Sequence, residues 1–217
     1  MNLFDIFALL AQGAGYTVLV TVACSITGLA VGLLVTGLRR MTWPWVNPLL
    51  DLYAYVFRGV PLLVMLFLVY FGLPGLGIKV SPFLAMILSL GFIAGAYLSE
   101  VFRSALDSVD AAEIYAAQAM GFTRVQVLLW IEFPQMLRFS VPGMVNEFTT
   151  VLKYSPFAYT VGIPEIMKEA MTLTASTMQG VPIYFALGVL FFLIYRILLI
   201  GVRAIERRYQ VPGLVLA

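Results

Sequence analysis

Few residues in this chain have side chains suited to acid–base, nucleophilic or metal chemistry. The 217 residues include no histidine and a single cysteine, Cys24, which lies within an apolar run. The lack of histidine excludes Ser-His-Asp catalysis, Cys-His catalysis and histidine ligation of a metal by this chain alone. We interpret Cys24 as a small buried apolar side chain. The G-x-x-x-x-G-K-Ser/Thr loop that binds ATP phosphates is absent from the sequence, which predicts that this chain does not hydrolyse ATP.

The most informative ionisable residue is Glu147. It lies ten positions into an apolar segment that begins near residue 137, with Asn146 before it and Thr149 and Thr150 after it. A carboxyl group deep in lipid is costly and usually faces a cavity. We therefore interpret Glu147 and Asn146 either as residues that line a substrate path or as partners in hydrogen bonds between buried helices.

Other polar side chains lie in apolar segments or at their ends. Arg58 belongs to a Gly- and Pro-containing step at 58–61, where a helix is expected to kink. We favour a structural role for Arg58 at that kink over binding of a substrate carboxylate, and keep both. Glu100 and Arg103 have the spacing of an ion pair on one helix face. Tyr97, about one turn before Glu100, is a further candidate for the substrate path.

Membrane-spanning helices must position these residues. The chain is 62% hydrophobic and 11% charged, whereas soluble domains contain about 25% charged residues. A bilayer core about 30 Å thick requires roughly 20 apolar helical residues. We predict five spans and, at 1–13, an interfacial helix. The predicted spans cover about 17–38, 48–73, 82–102, 137–158 and 183–202.

The lysine and arginine residues predict the orientation, because short cytoplasmic loops are enriched in them. With five spans, eight of the 13 fall on one side, two on the other and three within spans or at their ends. We therefore place the N-terminus outside and the C-terminus in the cytoplasm. The eight are Arg39, Arg40, Arg103, Arg124, Arg138, Arg203, Arg207 and Arg208, and the two are Lys79 and Lys168. The net charge of +2 gives no electrostatic reason to expect binding of nucleic acid.

Small residues predict where helices approach closely. Gly28 and Gly32 are four residues apart in the first predicted span, and Gly91 and Gly95 have the same spacing in the third. Such pairs let helix backbones pack against each other in a membrane. The spacing leaves open whether the two pairs pack spans within one subunit or join two subunits.

The roughly 30 residues between the third and fourth predicted spans have the pattern of a capped helical hairpin. Asp110 is a good N-cap, and residues 123–126 match the capping box Thr-x-x-Gln. Gly121 can adopt a positive φ and end the first helix. We predict one helix at 111–120 and a second that starts at 123 and is interrupted by Pro134.

This hairpin would expose Tyr115, Met120 and Phe122 around small alanines on the cytoplasmic side. Exposed apolar side chains on a rigid knob are suited to insertion into a groove on a partner protein. The alternative is an amphipathic loop that packs only on the chain's own helices.

The hairpin sequence resembles the EAA loop of membrane subunits in bacterial ABC importers. Tyr115-Ala116-Ala117 is followed at that loop's spacing by Gly121 and by Ile131-Glu132-Phe133-Pro134. Three further blocks narrow the resemblance to the permease family of polar amino acid importers, the group of the histidine, arginine and glutamine importers. These blocks are Arg58-Gly59-Val60-Pro61 through Tyr70-Phe71-Gly72-Leu73-Pro74, then Gly95-Ala96-Tyr97 with Glu100 and Arg103, and Asn146-Glu147-Phe148. The resemblance covers about residues 10–210.

This resemblance implies an all-α membrane protein with the type I ABC importer fold. Residues 1–217 would form one transmembrane domain of five helices, with a cytoplasmic coupling loop at 107–134. The chain would be the permease of an ATP-driven importer of a polar amino acid in the bacterial cytoplasmic (inner) membrane. It would bind no cofactor itself, and ATP and Mg would be held by the partner ATPase.

The resemblance also implies partners and site residues. The partners are two ATPase subunits, a second permease subunit and an extracytoplasmic binding protein that delivers the amino acid. The implied ATPase-coupling residues are Tyr115, Ala116, Ala117, Met120, Gly121, Phe122 and Pro134. The implied substrate-path residues are Glu147, Asn146, Tyr97 and Arg58.

The chain departs from the family pattern at three places. Tyr115 replaces the family's glutamate and Phe133 its leucine. The loss of the acid removes a charged contact, and Glu113 does not substitute for it because residues two apart on a helix do not share a face. We therefore favour a heterodimer with a related permease that retains the glutamate over a homodimer. The residues after Lys153, Tyr154-Ser155-Pro156, also differ, so we carry over no substrate contact there.

Two other classes of function fit the sequence less well. An ATP-independent secondary amino acid transporter or channel would account for the spans and for Glu147, but it gives no reason for the capped cytoplasmic hairpin. An integral membrane enzyme is disfavoured because no nucleophile and base, and no metal ligands, converge in the sequence.

Overall fold

The computed structural model describes residues 2–41 and 45–209, with side chains described up to residue 202. All regular elements in these ranges are helical. In chain order the α-helices are α1 (Leu3–Met41), α2 (Asn47–Gly59), α3 (Leu62–Phe67), α4 (Pro82–Met86), α5 (Phe92–Asp107), α6 (Ala111–Ala119), α7 (Arg124–Val127), α8 (Phe133–Tyr154), α9 (Ile166–Thr177) and α10 (Gly180–Tyr209). Other helical turns continue several of them: π-helical turns at Leu68–Gly72, Ile87–Gly91 and Leu128–Glu132, and 3₁₀ turns at Leu73–Leu76 and Ser155–Val161.

Three helices within the described residues are long and apolar enough to cross a membrane. They are Leu3–Met41, Pro82–Asp107 and Gly180–Val202, and they contain the first, third and fifth predicted spans. The pair Asn47–Gly59 and Leu62–Leu76 qualifies as a fourth only if the two bent parts are counted as one span. The structure therefore supports three or four spans by length and composition, where the sequence predicted five.

The second predicted span is broken more sharply than the expected kink. Its two parts meet at an angle of 106°. Val60 is extended, with φ −90° and ψ 128°, and Pro61 follows it. The proline ring disfavours the helical conformation at the preceding residue and removes a backbone donor, so the helix ends there and a new one begins.

The predicted interruption at Pro134 is wrong. A π-helical turn, Leu128–Glu132, joins α7 to α8, and the residues at both joints keep right-handed helical dihedral angles. Pro134 closely follows this π-helical turn, and such a local change of backbone hydrogen bonding lets a helix continue past a proline. Residues 124–154 therefore form one continuous helix, which we call the long rod. The rod ends at Tyr154, whereas the fourth predicted span extended to residue 158.

The N-terminal segment also differs from its prediction. A separate interfacial helix was expected at 1–13, but residues 3–13 run without a break into the first span as part of α1, a helix of 39 residues. At 1.5 Å per residue α1 is about 58 Å long, which is well beyond the thickness of a bilayer core of about 30 Å.

Glycine contacts between α1 and the Pro82–Asp107 helix hold the centre of the fold. A Cβ atom on Gly28 would lie 2.8 Å from the Cβ of Ala94, and one on Gly95 would lie 2.8 Å from the Cβ of Val31. These separations are too short for real side chains, so the backbones can approach only because glycine stands there. The two glycine pairs thus pack helices within one chain. Cys24 is fully buried, as predicted.

Candidate functional site

A cleft of about 690 Å³ opens between the break after α2, the middle of the third span and the C-terminal half of α8. All four residues proposed for the substrate path line it. The complete lining is Phe57, Arg58, Gly59, Val60, Pro61, Leu62, Leu63, Leu90, Ile93, Tyr97, Asn146, Glu147, Thr150, Tyr154 and Phe157. Three helices and a sharp break are needed to bring these residues together, because they are spread over a hundred positions of the sequence.

Glu147 is buried, with 8% of its surface exposed, and faces this cleft. The neighbouring hydroxyl groups are satisfied elsewhere: Thr149 and Thr150 donate to the carbonyl oxygen of Asn146 at 2.8 and 2.9 Å. Within the described part of the chain, no group donates a hydrogen bond to the Glu147 carboxylate. Glu147 therefore faces the cleft and forms no hydrogen bond to another helix among the described residues.

Arg58 reaches the cleft from the last turn of α2. Its guanidinium carbon lies 5.3 Å from the centre of the Tyr97 ring, a cation–π contact. Its Nη1 atom is 3.9 Å from Oε2 of Glu100, a distance too long for a good hydrogen bond. The Arg58 side chain is 42% exposed. The guanidinium group is thus oriented in the cleft but keeps free hydrogen-bond donors.

Glu100 is the centre of an ion-pair network next to the cleft. The predicted pair with Arg103 is present, with Nη2 donating to Oε2 at 2.8 Å. Arg39 at the end of α1 donates to the other carboxylate oxygen at 3.2 Å and also to Asp51 at 2.7 Å. The network therefore connects α1, α2 and α5. Sequence reasoning missed Arg39, because only the tertiary fold brings residues 39 and 100 together.

The hairpin formed by α6 and α7 has the caps that the sequence predicts. The amide of Ala112 donates to the Asp110 carboxylate at 2.8 Å, and both bonds of the capping box between Thr123 and Gln126 are present. Gly121 has φ +88°. The amides of residues 121 and 122 donate to the carbonyl oxygens of residues 118 and 117, which is the Schellman arrangement at a helix end. The turn between α6 and α7 is therefore rigid.

The residues proposed to couple to an ATPase do not all share one surface. Tyr115 and Met120 are 68% and 80% exposed, and Phe122, Ala116 and Gly121 are exposed as well. Ala117 is buried and packs inward, so it does not belong to the exposed surface of the knob. Pro134 lies eleven residues after Thr123 along the long rod, about 16 Å from the turn. The exposed knob consists of the other five residues.

Two contacts that the sequence did not reveal attach the hairpin to the rest of the chain. Arg40 at the end of α1 forms an ion pair with Glu132 in the π-helical turn. The side-chain amide of Gln135 donates to the carboxylate of Glu113 at 2.5 Å, which ties α6 to the long rod. Both contacts join residues from different elements, and no motif in the sequence indicates them.

The site has no obvious catalytic chemistry. Within the described residues, no group of three or more His, Cys, Asp or Glu side chains is placed to hold a metal ion. The cleft instead contains Glu147, which has no partner among the described residues, and Arg58, which keeps free hydrogen-bond donors. Such a pair of opposite charges can bind a small zwitterion by hydrogen bonds to each end.

A family model described as "Binding-protein-dependent transport system inner membrane component" matches residues 28–211. Among individual relatives, the chain is 33% identical to the histidine/lysine/arginine/ornithine transport system permease protein HisQ of Escherichia coli, over 96% of both chains. It is 31% identical to the probable glutamine ABC transporter permease protein GlnP of Bacillus subtilis, covering 93% of this chain and 94% of the relative.

Solved structures show the same fold. An amino acid ABC transporter crystallised with histidines matches with a TM-score of 0.85 and 25% identity, over 93% of this chain and 94% of that chain. The MetNI methionine ABC transporter in an inward-facing conformation matches with a TM-score of 0.78 and 21% identity, over 94% and 97% of the two chains.

Proposed function

Because this chain belongs to the family of binding-protein-dependent transport system inner membrane components, we propose that it moves a polar amino acid through the cleft around Glu147, powered by ATP on a partner. The chain is the permease component of an ABC importer for amino acids, with the fold of type I importers. An extracytoplasmic binding protein would deliver the amino acid, and two ATPase subunits would supply the energy.

The unpaired Glu147 carboxylate in the cleft is the observation that supports this proposal most strongly. An amino acid carries an ammonium group and a carboxylate at neutral pH. Glu147 would bind the ammonium group, while the free donors of Arg58, held over Tyr97, would bind the carboxylate. This assigns Arg58 to the substrate path, the less favoured of the two roles considered from the sequence.

The exposed knob supports the coupling part of the proposal. Tyr115, Met120 and Phe122 would insert into a groove on an ATPase, and the capped turn would transmit the ATPase motion without bending. Closure of the ATPases on ATP binding would draw the two coupling loops of a permease pair together. The pair would then change from inward-facing to outward-facing.

The decisive experiment uses the complex reconstituted in proteoliposomes, with the binding protein added on the side where amino acid is supplied. We expect Glu147→Gln to lower ATP-dependent uptake by about tenfold or more, because hydrogen bonds to charged groups contribute about 1.5–3 kcal/mol. The control is Glu169→Gln, which changes a glutamate on α9 outside the cleft. Unchanged uptake by Glu147→Gln, with normal assembly, would refute the role of Glu147.

The energy source distinguishes ATP-driven import from transport by an ATP-independent transporter or channel. ATP-driven import predicts that uptake stops when cellular ATP is depleted while the proton gradient is held. Uptake that continues under those conditions would support a secondary transporter and contradict coupling to an ATPase.

We also propose that this chain pairs with a second, related permease. Tyr115 at the head of the EAA-type loop supports this, because the family's glutamate, which would make a charged contact to the ATPase or within the loop, is missing from this chain. Purification from native membranes in mild detergent, followed by mass spectrometry with stoichiometry, tests the pairing. Two copies of this chain with ATPases and no second permease would show a homodimer.

A further inference from the structure

Glu132 is a buried carboxylate in the cytoplasmic part of the molecule. It lies in the π-helical turn Leu128–Glu132, nine residues after the capped turn at Thr123, and its side chain is only 5% exposed. Arg40 approaches it from the end of α1. The arginine donates through Nη2 to one carboxylate oxygen and through Nε at 3.3 Å to the other, so the pair is bidentate.

Arg40 is the counter-charge that makes burial of Glu132 possible. Among the described residues, Arg40 is the only group that forms an ion pair or a side-chain hydrogen bond with the Glu132 carboxylate. Arg40 and Glu132 line a second cleft, of about 520 Å³, together with Arg124. Arg124 forms no ion pair in the described part of the chain. A buried ion pair that loses one partner leaves an uncompensated charge, so the structure depends on this particular arginine.

The pair connects two long rigid helices at the level of the coupling loop. The long rod starts at the capped turn, contains Glu132 and continues to the cleft, where it carries Glu147. Helix α1 ends one residue after Arg40. It packs closely against the third span at Gly28 and Gly32. The third span carries Tyr97 on the opposite wall of the cleft.

We propose that Arg40 and Glu132 form a positioning pair for transport, which carries the displacement of the coupling hairpin into α1. The hairpin then moves both walls of the cleft together: the Glu147 wall directly through the long rod, and the Tyr97 wall through α1 and the third span. This inference rests on the proposed function, because it assumes that a partner ATPase moves the hairpin. Neither residue is placed to contact the transported solute.

The experiment measures two quantities in the complete complex in proteoliposomes: the rate of ATP hydrolysis and the amino acid imported per ATP hydrolysed. We expect Arg40→Gln and Glu132→Gln to assemble with the ATPase and to hydrolyse ATP at near the parental rate. The amino acid imported per ATP should fall about fivefold or more. For Arg40→Lys, which keeps the charge but loses the bidentate geometry, the amino acid imported per ATP should fall less.

The exchange variant R40E/E132R separates the pair from either residue alone. We expect it to restore import per ATP to within about twofold of the parent, because the opposite charges again meet across the same gap. Arg138→Gln is the matched control. It removes an exposed arginine from the same rod, one that forms no ion pair within the described residues, and should leave the ratio at the parental value.

Three results would overturn the inference. The first is a parental amount of amino acid imported per ATP in both glutamine variants. The second is a loss of import per ATP that R40E/E132R does not restore. The third is a failure of all the variants to assemble, which would assign the pair a purely structural role. The unmodified complex tests the proposed function separately. If that complex imports no amino acid with ATP, the proposed function fails and this inference fails with it; a working parent with a parental ratio in both glutamine variants contradicts the inference alone.

Discussion

Arg58 is held in the cleft by contacts that leave most of its donors free. The ring of Tyr97 orients the guanidinium group, and Glu100 is too far for a strong hydrogen bond because Arg103 and Arg39 occupy its oxygens. A carboxylate from a bound molecule can therefore compete for Arg58 without breaking a strong ion pair. Glu147 lines the same cleft, has no hydrogen-bond or ion-pair partner among the described residues, and adds an acidic group there.

The Tyr97 ring can be tested apart from its hydroxyl group. Tyr97→Phe keeps a ring under Arg58, so we expect uptake close to the parent. Tyr97→Leu removes the cation–π contact, worth about 0.5–2 kcal/mol, and should raise the apparent KM for uptake by roughly 2- to 30-fold. Kinetics of uptake at several amino acid concentrations provide the measurement. Equal KM values for the two variants would mean that the ring does not orient Arg58 for binding.

At the scale of helices, rigidity comes from two kinds of glycine. Gly121 allows the tight turn between α6 and α7, since its φ of +88° is strained for residues with a Cβ atom. Gly28 and Gly32 instead allow two long helices to touch. The first kind shapes the knob, and the second holds α1 against the third span.

Gly121→Ala should weaken the knob without disturbing the spans. The alanine would cost about 1–2 kcal/mol in the left-handed conformation, so the hairpin is expected to rearrange and to bind the ATPase less tightly, by roughly 5- to 30-fold. Copurification of the ATPase with the variant at graded detergent concentrations measures this. Gly37→Ala on α1 is the control, because a Cβ there meets nothing within 4 Å. Equal retention of the ATPase by both variants would contradict the expectation.

Gly28→Ala should lower the stability of the permease itself. The new Cβ would lie 2.8 Å from the Cβ of Ala94, and overpacking costs about 1–3 kcal/mol. The midpoint of thermal unfolding should fall by roughly 2–12 °C, as measured by the loss of monodisperse protein on heating in detergent. Gly188→Ala on α10, where a Cβ has no neighbour within 4 Å, should not lower it. A stable Gly28→Ala variant would show that α1 can shift away from the third span.

At the scale of the whole molecule, the ion pairs of the described residues cluster at the end where α1 and α5 finish. Arg39, Asp51, Glu100, Arg103 and Asp107 form one network, and Arg40 and Glu132 lie on the neighbouring α1 and long rod. The capped hairpin is at this same end. Because arginine is enriched in short cytoplasmic loops, this end is proposed to face the cytoplasm, with an external N-terminus and five spans.

Single-cysteine labelling tests this orientation. Cys24 is the only natural cysteine and is buried, so Cys24→Ala gives a background without reactive thiols. In that background we expect Lys79→Cys to react with a membrane-impermeant maleimide in whole cells or spheroplasts. Ser108→Cys, exposed beside the coupling hairpin, should react only after the membrane is opened. The reverse pattern would invert the proposed orientation.

The sequence by itself determined the parts of this protein that depend on neighbouring residues. Asp110, Gly121 and Thr123 act within one turn of the chain, so both caps and the left-handed turn were predictable, and so were the three most apolar spans. The continuous rod through Pro134 was not, because a π-helical turn that accommodates a proline has no clear sequence signal. The contacts of Arg39 with Glu100 and of Arg40 with Glu132 join residues 61 and 92 positions apart. Only the tertiary structure decided them, since it alone sets which distant charges become neighbours and leaves Glu147 without a hydrogen-bond or ion-pair partner among the described residues.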